Sequence, residues 1–216
     1  YFDFYLSFDA DYGENGFAIN RSYHEQLQDQ GFDPVFVIHN INDPEEMAYC
    51  LNGDHKMISL GSGELQNSTA DQLRDIVMPF YEKGIKVHFL GCTEYEKLAK
   101  VPVYSCDSST WTRYGATGFV AWWNENKVEC DKTEKIYFNQ SGRRASMAKY
   151  IKENPSQWGF EDYLRNNVDG MELGDLIGRG TKDRLLNRAI ANIRYFIDIQ
   201  RRVREEHDKR EYCFTD

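Results

Sequence analysis

A single carboxylate stands where an apolar run gives way to hydroxyl side chains. The segment 104–111 reads Tyr-Ser-Cys-Asp-Ser-Ser-Thr-Trp, with Asp107 at its centre and Ser108 directly after it. An aspartate in this position can act as a nucleophile or as a base. Asp-Ser-Ser is also ordinary turn and N-cap chemistry, so position alone leaves a structural role equally open.

Carboxylate and glycine residues end earlier apolar runs. Asp9 and Asp11 follow the first run, where a carboxylate can accept hydrogen bonds from the N–H edge of a purine-like ring, although a turn or a helix cap is nearly as common. Gly61, Ser62 and Gly63 follow another run. Glycine there lets a ligand approach the backbone, but left-handed turns also demand glycine.

Two histidines add acid–base or metal-binding capacity. His39 ends its apolar run, whereas His88 lies within one. Together with Asp9 and Asp107 they suggest a metal-dependent barrel hydrolase, which would need His39 and Asp107 to converge on one ion. No His-x-His pair is present, and for His88 a hydrogen-bonded core histidine is the commoner explanation.

Aromatic and basic residues in the second half could contact a nucleic acid. The aromatic residues are Trp111, Tyr114, Trp122 and Trp123. They could stack on a base, or they could simply contribute to the packing of the ribbon region. The basic group could meet phosphate, although a solvated helix face is the commoner explanation: it comprises Arg143, Arg144, Arg184, Arg188, Arg194, Arg201, Arg202 and Arg204.

These residues are attached to a regular alternation of elements. Short runs rich in β-branched and aromatic residues predict strands at 2–8, 34–39, 56–60, 85–90 and 101–106. Between them, helical patterns and start signals predict helices at 16–30, 43–51, 68–83 and 93–100. This order calls for parallel strands with right-handed crossovers, which a barrel and an open doubly wound sheet both satisfy.

The positions of the polar and glycine residues favour the barrel. Strand after strand ends in such a residue, namely Asp9, His39, Gly61, Gly91 and Asp107, and barrel active sites gather at the carboxyl ends of the strands. The prediction is an α/β fold of the (β/α) TIM-barrel type. Five strands are too few for an eight-stranded barrel, so we expect an N-terminally truncated barrel with about three strands before residue 1.

The pattern changes after Asp107. Residues 118–123 and 135–139 predict an antiparallel ribbon, and residues 146–154, 158–167 and 181–210 predict helices, the last one long and amphipathic. The expected organisation is therefore a barrel part at 1–117 and an appended β-ribbon and helical region at 118–216.

Composition narrows the functional class. The chain has 216 residues, 41% hydrophobic content and a net charge of −9, which argues against gripping nucleic acid over its whole surface but leaves a local basic patch open. Its five cysteines show no Cys-x-x-Cys spacing, which favours a reducing cytosol over a disulfide framework or a zinc knuckle. No long apolar run or signal peptide is visible, so we expect a cytoplasmic protein without a membrane partner.

Five segments together resemble phage and mobile-element relatives of tRNA-guanine transglycosylase. They cover roughly the first half of the chain, at residues 5–9, 34–39, 58–63, 87–91 and 104–111. The most specific part is the Leu-Gly-Cys-Thr turn at 90–93 followed by Ser-Cys-Asp-Ser-Ser-Thr-Trp at 105–111. The other matches would be weak alone.

The resemblance implies a barrel enzyme that exchanges guanine in a nucleic acid for a 7-deazaguanine base through a covalent aspartyl–sugar link. Asp107 would be the nucleophile, Asp9 would recognise the incoming base, and residues 61–63 would contact it through the backbone. His39, Gly91, Ser108 and Trp111 complete the expected substrate-binding set. The target base would be flipped out of its helix.

Two departures qualify what the resemblance implies. The enzymes that act on tRNA hold zinc with a Cys-x-Cys-x-x-Cys cluster and a histidine, whereas this chain has only Cys130 and Cys213 in its C-terminal part. We therefore expect no metal and no cofactor, and DNA more than tRNA as the substrate. The resemblance to the phage branch leaves a phage origin open, in which case the protein would act in the host cytoplasm. In the family a second catalytic aspartate lies on an earlier strand, which these residues do not include, so a non-catalytic nucleic-acid-binding or assembly protein stays an alternative.

Overall fold

The computed structural model describes residues 3–10, 13, 15–138, 159–177 and 181–214, with side chains from 184 onward in the last range. Two compact units are present. Unit 1 comprises Tyr1–Ser108 and Glu205–Asp216, and unit 2 comprises Ser109–Arg204.

Unit 1 contains a parallel sheet whose strands follow one another in chain order. The strands are β1 (Phe36–Ile38), β2 (Met57–Leu60), β3 (Lys86–Phe89) and β4 (Ser105–Cys106), in the spatial order β1-β2-β3-β4. The register places Ile38 beside Leu60 and Leu60 beside Phe89. The predicted parallel pairing is confirmed for these four strands.

The first predicted strand is reduced to a short parallel pairing at the β1 edge of the sheet. Leu6 forms an isolated bridge with Val35. Ser7 N–H donates to Val35 O at 2.9 Å, and Val35 N–H donates to Tyr5 O at 2.8 Å. These bonds bring the segment that ends at Asp9 alongside the sheet.

Helices alternate with the strands of unit 1. They are α1 (Gly16–Asp29), α2 (Pro44–Asn52), α3 (Ser62–Asn67), α4 (Ala70–Glu82) and α5 (Tyr95–Lys100). The Asp43 side chain caps α2, and Thr69 with Gln72 forms a capping box at the start of α4, as the start signals predict. The predicted alternation of strands and helices is confirmed.

Two short elements of unit 1 differ from the prediction. No helix was predicted at α3, which begins directly after Gly61. Strand β4 covers two of the six residues predicted for it: Pro102 has no N–H to donate, and Val103 N–H bonds to Val101 O at 2.8 Å instead of to β3. Tyr104 N–H and Asp107 N–H still bond to β3 carbonyls, Val87 O at 3.0 Å and Phe89 O at 3.2 Å.

The core of unit 1 lies between the sheet and its helices. Val37, Ile38, Ile58, Leu60 and Phe89 are completely excluded from solvent, as are Leu73, Val77 and Phe80 on α4. A strand buried on both faces reads as a continuous apolar run, which is the pattern found at 35–38.

Unit 2 is built on the predicted antiparallel ribbon. Its elements are α6 (Thr110–Thr117), β5 (Phe119–Trp123), β6 (Thr133–Tyr137), α7 (Phe160–Asn167), α8 (Leu173–Ile177) and most of α9 (Thr181–Lys209). Strands β5 and β6 pair antiparallel, with Phe119 beside Tyr137 and Trp123 beside Thr133, which confirms the ribbon. The helix predicted at 146–154 lies outside the described residues.

Strand and helix side chains of unit 2 share one apolar cluster. Trp122, Ile136, Phe138, Phe160 and Leu164 are buried in it. The buried Asn192 of α9 satisfies the outer edge of β5, because its Oδ1 accepts from Ala121 N–H at 2.9 Å and its Nδ2 donates to Phe119 O at 3.1 Å.

The fold is therefore mixed α/β with a four-stranded parallel sheet. No closed barrel is detected in the described ranges, and barrel closure stays a prediction. None of the described helices combines the length and apolar character needed to cross a lipid bilayer.

Gly118 joins α6 to β5 where a side chain has no room. Its φ is +93°, and a Cβ there would lie 2.5 Å from Phe138 O, whereas Gly170, also in unit 2 with φ +73°, has open space around it. We expect Gly118→Ala to lower the free energy of unfolding by about 2 kcal/mol more than Gly170→Ala, since both carry the left-handed strain and only one carries the clash. Urea denaturation of both variants measures the difference, and equal losses would contradict it.

His24 is a buried histidine that ties α1 to the segment 5–9, which runs beside β1. Its ring is fully excluded from solvent, with Nδ1 2.5 Å from Ser7 Oγ and the ring edge-on to Phe36. Burial, with the nearby His55 as a smaller cause, lowers the pKa of His24 to about 4. The neutral ring is therefore the form that the fold favours.

This pKa makes unit 1 sensitive to acid. The unfolded chain binds a proton near pH 6.5, whereas folded His24 stays neutral until about pH 4. Stability from this group is thus complete above pH 6.5 and declines as pH falls towards 4, by about 3 kcal/mol at most. Thermal unfolding between pH 7 and 4.5 should show a shallower decline for His24→Gln than for wild type. Parallel curves would contradict this origin.

Candidate active site

Six of the predicted site residues lie along one edge of the unit 1 sheet. They follow strands that run in parallel, so the carboxyl ends of these strands meet at the same edge. We call them the strand-end row: Asp9, His39, Gly61, Ser62, Gly91 and Asp107.

At one end of the row an aspartate and a histidine form a pair. Asp9 Oδ2 lies 3.1 Å from His39 Nε2, and both side chains are largely but not fully buried. A carboxylate in this position can accept N–H groups from a ligand with its remaining lone pairs. The sequence suggested both residues separately, and the structure brings them together.

Glycine and serine fill the middle of the row. A Cβ on Gly61 would lie 3.2 Å from His39 Nδ1, so the absence of a side chain allows the strand end to approach the histidine closely. A Cβ on Gly91 would lie 3.6 Å from Ser62 Cβ. Backbone and one hydroxyl therefore line the edge between the two carboxylates.

Asp107 stands at the other end of the row. Its Oδ1 accepts a hydrogen bond from Gly91 N–H at 2.7 Å, and 60% of its side chain is exposed. A backbone donor fixes one oxygen while the other is open to solvent. This arrangement suits a nucleophile that must be both held and reachable.

His88 lies behind Asp107 in the sheet. Its Nε2 is 3.9 Å from Asp107 Oδ2, and its Nδ1 is 2.9 Å from Ser105 Oγ on the neighbouring strand. Burial lowers the pKa of His88, against the opposing effect of the Asp107 charge. His88 is a hydrogen-bonded core histidine, as expected. Its buried ring also faces Asp107, the candidate nucleophile.

Glu46 holds the backbone of the loop that carries His39. Although buried, its Oε1 accepts from His39 N–H at 2.9 Å and its Oε2 accepts from Asn40 N–H at 3.0 Å. Burial raises the pKa of Glu46 above its ordinary value, and the two backbone donors only partly oppose this rise. This carboxylate satisfies two N–H groups at the end of β1 and so orients His39.

Asn20 holds the backbone at the residue that follows Asp9. The side chain is buried on α1, and its Oδ1 accepts from Ala10 N–H at 2.9 Å. The residue after Asp9 is thereby tied to a helix. Asp9 is thus held by its contact with His39 and by the backbone that follows it.

Sequence reasoning missed these supporting residues, although one signal was available. Glu46 stands three residues after the N-cap Asp43, where a capping box would send its side chain back to the Asp43 N–H. It bonds instead to His39 and Asn40. The sequence does not show whether the side chain of such a glutamate will bond to the N–H of the N-cap or to the backbone at the end of the preceding strand.

The other predicted site residues are not members of the row or lie outside the described residues. Gly63 is in the first turn of α3 with open space around it, and Ser108 is half-buried directly after Asp107. Asp11, Arg143 and Arg144 lie outside the described residues.

The remaining predicted residues belong to unit 2. Trp111 is 37% exposed and Arg184 is half-buried. Arg188 differs from the expected surface stripe: it is 1% exposed, and its Nε donates to Leu176 O at 3.0 Å. Burial lowers the pKa of Arg188 to about 10, with the Arg184 charge as a further cause. Its guanidinium lies in the core and not at a surface that phosphate could meet.

The hydrolase hypothesis needs His39 and Asp107 to share an ion. In the described part of the chain, no group of three or more His, Cys, Asp and Glu side chains is arranged to hold one. His39 instead pairs with Asp9, and Asp107 faces His88.

Glu46→Gln should loosen the end of β1. The amide places an NH₂ group against one of the two backbone donors, so we expect a loss of about 2 kcal/mol in unfolding free energy and faster hydrogen exchange at His39 and Asn40. Exchange measured by NMR tests this. Glu45→Gln, on the exposed face of the same helix, is the matched control, and equal effects of both changes would exclude the proposed clamp.

Comparisons with protein-family models, curated proteins and solved structures yield no significant match to this chain.

Proposed function

We propose that this chain belongs to a guanine transglycosylase-like enzyme that exchanges guanine in a nucleic acid for a 7-deazaguanine base. The observation that carries the proposal is the strand-end row itself. A held but exposed carboxylate, Asp107, and an aspartate–histidine pair share one sheet edge, separated by glycine and serine.

The row offers the functional groups that base exchange requires. Asp9 accepts hydrogen bonds from ring and amino N–H groups of a guanine-like base, with His39 holding its orientation. Gly61 in the row, with Gly63 beyond it in the first turn of α3, lets the flat ring approach the backbone. The resemblance of residues 5–9, 58–63 and 104–111 to the transglycosylases supports these roles.

In the first half-reaction a carboxylate oxygen of Asp107 attacks the anomeric carbon of the sugar. The bond from that carbon to guanine breaks, guanine leaves with the electron pair and takes up a proton, and an aspartyl–sugar ester forms. In the second half, the ring nitrogen of the incoming base loses its proton and attacks the same carbon, which frees the carboxylate. One proton is taken up and one is released, so the exchange is balanced.

We also propose that the sheet of unit 1 is part of a (β/α) barrel. Its strands are parallel and run in unbroken chain order, as barrel strands do, whereas doubly wound sheets reverse their order at a switch point. Active sites in barrels lie at the carboxyl ends of the strands, which is where the row lies.

DNA is the proposed polymer in preference to tRNA. The support is the lack of the Cys-x-Cys-x-x-Cys spacing by which the tRNA enzymes hold zinc. Because the net charge is −9, binding would depend on local basic residues, among which the half-buried Arg184 is a better candidate than the buried Arg188.

A labelled-guanine exchange assay tests the function. The full-length protein, incubated with labelled guanine and either duplex DNA or tRNA, should incorporate label into DNA. Asp107→Asn should reduce incorporation by at least about a thousandfold, because the amide cannot form the ester. Asp75→Asn, an exposed aspartate on α4, should leave the rate unchanged.

The outcomes separate the candidate functions. Incorporation into tRNA alone would keep the chemistry and overturn the choice of polymer. No incorporation into either polymer, with nucleic-acid binding retained, would replace the enzyme by the non-catalytic binding protein.

A further inference from the structure

We infer that His88 is a positioning residue for Asp107, donating from its Nε2–H to Oδ2 of the carboxylate. This role presupposes the proposed base exchange, in which Asp107 is the nucleophile. It gives His88 a specific part in the reaction in addition to its place in the core.

The histidine is the fixed partner of the two. Its side chain is 4% exposed, its Nδ1 lies 2.9 Å from Ser105 Oγ, and its ring meets the Phe4 ring edge-on at 5.1 Å between centroids. The Asp107 side chain is mostly exposed, and Gly91 N–H holds only its Oδ1. The 3.9 Å between His88 Nε2 and Asp107 Oδ2 is too long for a hydrogen bond, and such contacts commonly tighten when substrate binds.

The neighbours of the ring determine which nitrogen carries the proton. A proton on Nδ1 would leave the Nε2 lone pair facing the negative Asp107 Oδ2, which is repulsive. If the Ser105 hydroxyl donates to Nδ1, the proton lies on Nε2 and points at the carboxylate. Burial lowers the pKa of His88 and so favours this neutral form near pH 7.

Two different donors would then define the plane of the carboxylate. Gly91 N–H holds Oδ1 at 2.7 Å, and His88 directs Oδ2. Because Oδ2 is the less tightly bound oxygen, it is the one that attacks the sugar. When the ester breaks in the second half-reaction, negative charge returns to Oδ2, and the Nε2–H stabilises it. The effect should therefore appear in kcat and not in KM.

A direct measurement of the histidine needs no catalytic assay. In ¹⁵N NMR spectra of the wild-type full chain near pH 7, His88 should show a protonated Nε2 and an unprotonated Nδ1. The Nε2–H signal should shift in Asp107→Asn. A proton on Nδ1, or an Nε2–H signal that Asp107→Asn leaves unchanged, would overturn the inference.

Two amide substitutions supply a kinetic test. The side-chain nitrogen of His88→Gln reaches the Nε2 position and can still donate to Asp107, whereas that of His88→Asn reaches only the Nδ1 position. We expect His88→Asn to lower kcat for base exchange by at least about tenfold with KM nearly unchanged, and His88→Gln to restore most of the rate. Equal rates in the two variants would contradict the role. If the wild type exchanges no base, the proposed function fails, and the NMR measurement still decides the contact.

Discussion

Parallel pairing of four consecutive strands places every strand end of unit 1 on the same edge of the sheet. Residues that are far apart in the chain, such as Asp9, His39 and Asp107, become neighbours of one edge through this pairing. A one-residue change of register would exchange the faces of a strand and turn His88 away from Ser105. The candidate chemistry therefore depends first on the backbone ladder and only then on the identity of the side chains.

Buried polar residues beneath the sheet edge hold the strand-end residues in defined positions. Glu46 holds the backbone at His39, Asn20 holds the backbone after Asp9, and His88 faces Asp107. Burying such groups is costly unless they are hydrogen-bonded, and each of these finds partners at a strand end. The polar groups beneath the edge and the reactive groups on it are thus parts of one arrangement.

The sequence predicts the elements of unit 1 well because their signals are local. Alternating apolar runs and the caps at Asp43 and Thr69 give the strands and helices to within a few residues. The six-residue α3 carries too little periodicity to be recognised. The partners of Glu46 and the burial of Arg188 are set by tertiary packing, which a pattern along the helix does not reveal.

For the site, the sequence predicted the positions of the residues but not the contacts between them. Strand-end position suggested five residues of the strand-end row, all except Ser62, because parallel strands turn position in sequence into position at an edge. That rule gives no account of how the residues pair, so the Asp9–His39 contact and the Gly91–Asp107 hydrogen bond appear only in three dimensions. The row is already contiguous across the β1 to β4 strand ends. The contacts within the row consequently depend on the order and register of these strands.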